Sequence, residues 1–113
     1  MKISEVVSRL QLGVAAGNEQ LGRDIDSGYV SDLLSNVMGH AGAGAVWVTM
    51  QAHQNIVAVA SLTDLAAIII ADGIMPDPHT LAKAESEGIV ILTTPLSGYE
   101  VVGRLYGLGI TGP

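Results

Sequence analysis

Three apolar runs constrain this chain more than any other feature: Val46–Met50, Ala66–Ile70 and Ile89–Thr93. A strand with one wet face alternates apolar and polar residues. Runs without that alternation are expected where both faces are covered, as in parallel sheets. The segments between them read as helices. In Asn55–Leu62, Ile56, Val57, Val59, Ala60 and Leu62 crowd one broad side. Asp77-Pro78 is a helix start, with an N-cap and a proline at the first position, and Glu87-Gly88 is a helix end. Tyr99–Leu108 is the last helix. Residues 45–108 therefore spell strand, helix, strand, helix, strand, helix. That order implies right-handed crossovers and a compact single α/β domain over 1–113, with a mainly parallel sheet flanked by helices.

The first 44 residues are less regular. Ile3, Val6, Val7 and Leu10 fall at helical spacing, with Ser4 as a candidate N-cap. Leu12–Ala16 reads as a short strand ended by the turn signal Gly17-Asn18. Residues 17–28 read as loop, with an edge strand near Arg23–Asp26. Leu33, Leu34, Val37 and Met38 suit a brief helix capped by Ser31 or Asp32 and broken by the glycines from Gly39 to Gly44.

Composition excludes several classes of function. There is no cysteine, so disulfides and thiolate chemistry are out. The five Lys and Arg residues are scattered through a chain of net charge -6, and no basic stripe for nucleic acid can be built from them. No apolar run approaches a membrane span. The N-terminus, MKISEVVSRLQLG, lacks the apolar core of a signal peptide, which points to the cytoplasm. Hydrophobic residues make up 49% of the chain and charged residues 14%, a balance that leaves apolar surface and favours a homodimer. The helices around Ile56 and Val101 are apolar over more than one stripe, so each is expected to pack on the sheet and still show apolar surface.

Each two-sided strand ends abruptly in small polar residues. Gln51, His53, Gln54 and Asn55 follow the first. Asp72 and Gly73 follow the second, and Thr93, Thr94, Ser97 and Gly98 close the third. The carboxyl edge of an open α/β sheet is where ligands usually sit. The candidate ligand-binding set is therefore Gln51, His53, Asn55, Asp72, Gly73, Thr93, Thr94 and Ser97. The plainer reading is that Asn55, Asp77 and Ser97 cap helices and the others solvate loops. No catalytic constellation is recognisable. His40, His53 and His79 lie on separate loops without metal-ligand spacing, no phosphate loop or dinucleotide fingerprint is present, and neither cofactor nor metal is implied.

The segments "GYVSDLLSNVM", "VWVTMQAHQNIVAVASL", "AAIIIADGIMPD" and "AKAESEGIVILTTPLSGYEVVGRLYGLGI" together resemble the DRTGG domain family, in its short stand-alone form. Ala52-His53 stands where the family has Asp-Arg. Ala71-Asp72-Gly73 stands where it has Thr-Gly-Gly, so only Gly73 of the name-giving motif matches. The resemblance implies a fold like the N-terminal domains of HPr kinase/phosphorylase and the Mur ligases. It implies a regulatory or binding module of bacterial metabolism rather than a catalyst. Such domains occur in some phosphotransacetylases and beside CBS domains in regulated pyrophosphatases, where they help build a dimer interface.

The expected function is thus regulatory: a homodimeric module that senses a small nucleotide-like or anionic metabolite, with a metabolic enzyme as partner. The alternatives are a protein-docking module with no small ligand, or an enzyme using His53 with Asp72 or Ser97. With no phosphate loop and no basic clamp, purified protein is expected to leave ATP and acetyl phosphate intact in a phosphate-release assay. Turnover abolished by His53→Ala would reverse that expectation.

Overall fold

A computed structural model describes residues 1–113. The chain runs α1 (Ile3–Leu10), β1 (Gly13–Ala16), a single 3-10 turn (Asn18–Gln20), β2 (Ser27–Val30), α2 (Leu34–His40) and β3 (Ala45–Thr49). It continues through α3 (Asn55–Leu62), β4 (Ala67–Ile70), α4 (Pro78–Glu87), β5 (Ile91–Thr93) and α5 (Gly98–Gly107). The strands form one five-stranded sheet in the order β1-β5-β4-β3-β2. β2 to β5 are parallel neighbours, and β1 joins β5 antiparallel with a register shift between Val14 and Ala16. This is the compact α/β domain with a mainly parallel sheet expected from the apolar runs.

Every residue of β3 and β4 is buried, because helices cover both faces. Val46, Val48, Ala67 and Ile69 point to one side, where they meet Ile3, Val6 and Leu10 of α1 and Val101 and Leu105 of α5. Ala45, Trp47, Ile68 and Ile70 point to the other, against Val37 of α2, Ile56, Val57, Val59 and Ala60 of α3, and Ala84 of α4. The period of two along each strand thus feeds two separate cores. Helix α3 has apolar residues nearly all round because it lies between α2 and α4 as well as on the sheet. Its surplus is covered inside the domain, apart from exposed Leu62, and that corrects the expectation of an apolar outer stripe around Ile56. On α5 the expectation holds in smaller measure: Val101 and Leu105 are buried, Val102 and Leu108 half-buried, and Tyr106 exposed.

Several local readings are corrected. The edge strand is Ser27–Val30, not Arg23–Asp26, which contributes only an isolated Lys2–Asp24 bridge. Gly28 lies in β2 beneath Ile110, whose Cγ2 is 3.4 Å from where a Cβ would stand. Ser4 does not cap α1. Lys2 holds that position, and its backbone N–H donates to the Glu5 carboxylate at 3.0 Å. Neither Ser31 nor Asp32 caps α2, whose N-cap is Leu33, and the helix runs on through Gly39 to His40. Asn55 is the first residue of α3 rather than its cap. Asp77 occupies the N-cap position of α4 without a side-chain hydrogen bond, before Pro78. Ser97 does cap α5, its hydroxyl accepting the Glu100 N–H at 3.3 Å.

Ile69 sits at the centre of the sheet with no exposed surface. Ile69→Ala is expected to cost about 2–5 kcal/mol, from lost transfer energy plus a cavity the packed layers cannot close. Urea unfolding of the two proteins, followed by circular dichroism, measures it.

Candidate functional site

The carboxyl edge of the sheet is shaped by the directions in which its strands exit. β2, β3 and β4 each continue into a helix on the same face, α2, α3 and α4. β5 exits to the opposite face, where α5 packs across β2 and β3. Its connection, Thr94 to Ser97, must therefore cross the carboxyl end of β4. Asp72 and Gly73 receive it. Both adopt left-handed backbone, with φ 66° and 72°. Aspartate and glycine are among the residues that tolerate this conformation. Asp72 N–H donates to the Leu96 carbonyl at 2.7 Å, and Gly73 N–H to the Thr94 carbonyl at 2.9 Å. The Thr94 hydroxyl accepts the Leu96 N–H at 3.1 Å and locks the crossing. The crossing forms a ridge between two clefts.

The cleft on the β2 side has a volume of about 270 Å³. Val30, Val48, Ala71 and Met50 give it an apolar floor and flank, Ser31 and Asp32 a polar wall, and Gly98 and Tyr99 the start of α5. Asp32 is fixed in place: one carboxylate oxygen accepts from the buried Thr49 hydroxyl and from the Met50 N–H, both at 2.7 Å. Gln51 braces the same turn, its amide donating to the Asp32 carbonyl at 3.1 Å. With Glu100 N–H capped by Ser97, the N–H groups of Gly98 and Tyr99 are those the helix leaves free at its first turn. The Tyr99 ring is 89% exposed beside them. No lysine or arginine lines the cleft. The second cleft, about 290 Å³ and shallower, lies across the end of β5 and is lined by Gly73, Thr93, Thr94 and Gln11.

The sequence-derived set is thus divided. Gly73, Thr93 and Thr94 share the second cleft, with Thr94 buried and engaged in the ridge. Gln51 and Ser97 flank the first cleft without lining it. His53, Asn55 and Asp72 are exposed on the rim and line neither. The His53 Nδ1 accepts the Asn55 N–H at 3.2 Å, so the imidazole closes the turn into α3. No hydrogen bond joins it to Asp72 or Ser97, and the catalytic pairings weighed from the sequence are not formed. No three His, Asp or Glu side chains gather as a metal site would require. Ser31, Asp32 and Tyr99 were missed because Ser27–Val30, short and opening with Ser-Gly, does not read as a strand. The signal was available: Val30-Ser31-Asp32 repeats the exit from apolar strand to small polar residues seen at Ala71-Asp72-Gly73.

A carboxylate, a hydroxyl, two free N–H groups and an aromatic ring above an apolar floor suit an uncharged, hydroxyl-bearing and partly flat molecule. They do not suit a dense array of negative charge, which would meet Asp32 and no cation. Asp32→Ala is expected to destabilise the fold by about 1–3 kcal/mol, because the Thr49 hydroxyl and Met50 N–H lose a charged acceptor. Asp32→Asn, which keeps the acceptor oxygen, should lose clearly less. Chemical denaturation of both variants checks the order.

The model of the DRTGG domain matches residues 5–108. None of the curated proteins compared with the chain matches it. Among solved structures, the chain is similar to the CBS and DRTGG domains of the regulatory region of Clostridium perfringens pyrophosphatase, complexed with its activator diadenosine tetraphosphate. The TM-score is 0.73 at 16% identity, and the match covers 97% of this chain and 47% of that one. The chain therefore spans about half the length of the solved relative and shares its fold.

Proposed function

The chain belongs to the DRTGG domain family, and from that premise we propose that it is a non-catalytic regulatory module that binds a nucleotide-like metabolite. The observation that carries the reading is the cleft between β2, β3, β4 and the start of α5. The nucleoside end of the ligand enters it. Asp32 accepts from sugar hydroxyls, the Tyr99 ring stacks on the base, and the free N–H groups of Gly98 and Tyr99 receive a carbonyl or a single phosphate oxygen. Further phosphates point away from Asp32 and Asp72 into solvent, past the rim that carries His53 and Asn55. Gln51 and Ser97 hold the walls in place. Support for a nucleotide comes from the solved relative, a regulatory region complexed with a dinucleotide activator. The same relative supports a metabolic enzyme as the partner that the module controls, and the apolar side chains left exposed support a homodimer.

The competing reading is a docking module without a small ligand. It is favoured by exposed Val30, Leu33, Met38 and Tyr106 at the β2 end of the domain.

Thermal-shift and calorimetric titrations with adenosine, AMP, diadenosine tetraphosphate and inorganic phosphate separate the two. Ligand at 100 times its Kd raises stability by about 2.7 kcal/mol. Saturable stabilisation by the nucleosides or nucleotides, and not by phosphate alone, is expected. It should disappear in Tyr99→Ala, whose exposed ring contributes little to the fold. No shift with any of the four at millimolar concentration would remove the sensing reading and leave the docking one.

A further inference from the structure

The cleft at the start of α5 does not end at its own wall. Val30 and Val48 line it, and the same two side chains line a hollow of about 330 Å³ further along the helix. Both lie on the α5 face of the sheet, since Val48 belongs to that core and Val30 is its partner in the β2–β3 register. Tyr99, Val102 and Tyr106 mark the course of the opening. They are three and four residues apart, so they share one face of α5. Tyr99 stands at the cleft, Val102 and Tyr106 at the hollow. The two openings thus form one groove between β2 and α5. Its far end is bounded by Ile110 and by Thr111, whose carbonyl accepts the Gly28 N–H at 2.8 Å.

The two ends of this groove differ in chemistry. At the cleft, Asp32 uses one oxygen on the protein. Its Oδ1 accepts from both Thr49 and Met50, while Oδ2 accepts no hydrogen bond and is left to receive a hydroxyl. The hollow has no charged side chain in its wall. The Tyr29 hydroxyl beside it is already given to Asn36 at 2.7 Å. Its floor is dry, with Val48 and Leu105 buried, and its mouth is apolar and wet, with Val30 53% and Tyr106 64% exposed. A concave apolar surface with a few polar groups at one end is the common make-up of a small-molecule site. An apolar cavity of about 150 Å³ admits benzene. The hollow therefore has room for a ring or a short chain. An anionic head would meet Asp32, and neither end supplies a lysine or arginine to offset it.

We propose that cleft and hollow together bind an uncharged amphipathic small molecule, such as an alkyl or aryl glycoside or a nucleoside with an apolar substituent. The hydroxyl-bearing head donates to the free oxygen of Asp32. The apolar part lies over Val30 and Val48, against Val102 and Ile110 and beneath Tyr106. The inference rests on the sensing reading for the cleft and adds to it a second, apolar region that selects the ligand.

Calorimetric titration with n-alkyl glucosides from methyl to octyl, each below its micelle concentration, tests it. Affinity is expected to rise about threefold for each added methylene, and to level off once the chain outgrows the hollow. Val102→Glu places a charge in the hollow's wall and should abolish the rise. Tyr106→Ala, which removes an exposed ring and leaves the core alone, should reduce it and serves if the glutamate variant misfolds. Asp32→Asn should weaken every member of the series by a similar factor, because the head is common to all. A flat series overturns the proposal, whether the hollow is shut by a second copy or holds no chain. So does a rise that persists in both hollow variants, or binding indifferent to Asp32→Asn. Adenosine titrated beside the series reports on the sensing reading. Adenosine binding with a flat series removes this inference alone, and a rising series without adenosine binding removes the nucleotide reading alone.

Discussion

Burial of β3 and β4 on both faces is the constraint from which the rest of this structure follows. Nine sheet positions, Ala45–Thr49 and Ala67–Ile70, have no wet side. A sheet with two dry faces needs two helical layers, and 113 residues supply them with little to spare. The crossovers from β2 to β5 all lay their helices on one face, so the other must be covered by the chain's two end helices, α1 and α5. That obligation sends the chain from β5 back across the sheet.

The return path decides the form of the carboxyl edge. An exit from β5 to the face opposite the β4 exit would ordinarily open a crevice between these neighbouring strands. Here the backbone bonds from Asp72 and Gly73 to the 94–96 segment fill it. The opening is displaced to where α5 begins, over β2, β3 and β4. Asp72-Gly73 thus serves as a structural turn in this chain, and Asp32, from the other side of the sheet, supplies the fixed carboxylate. Asp32 is not idle when the cleft is empty, because it also ties the end of β2 to the end of β3. Asp32 thus belongs both to the cleft wall and to the junction between the two strands. Val30, two positions earlier, sits both in the cleft wall and on the open edge.

The sequence by itself determined the strands and helices of 45–108, because unbroken apolar runs and the Pro and Gly that punctuate them are local signals. It also determined that helices cover both sheet faces and that the carboxyl ends carry the polar groups. Ser97 was legible as a cap for the same local reason. Tertiary structure alone decided that Ser27–Val30 is a strand. Its four residues are half-buried or exposed, and they are held by β3 on one side and by Ile110 and Thr111 on the other. It alone decided that His53 closes a turn while Asp32 faces the cleft, since which polar residue meets a cavity depends on the path of a connection over 60 residues further along the chain. And it alone decided where apolar surface remains. Composition announces a surplus, but α3 shares its surplus with two helical neighbours while α5, at the edge of its layer, has none beyond Tyr106.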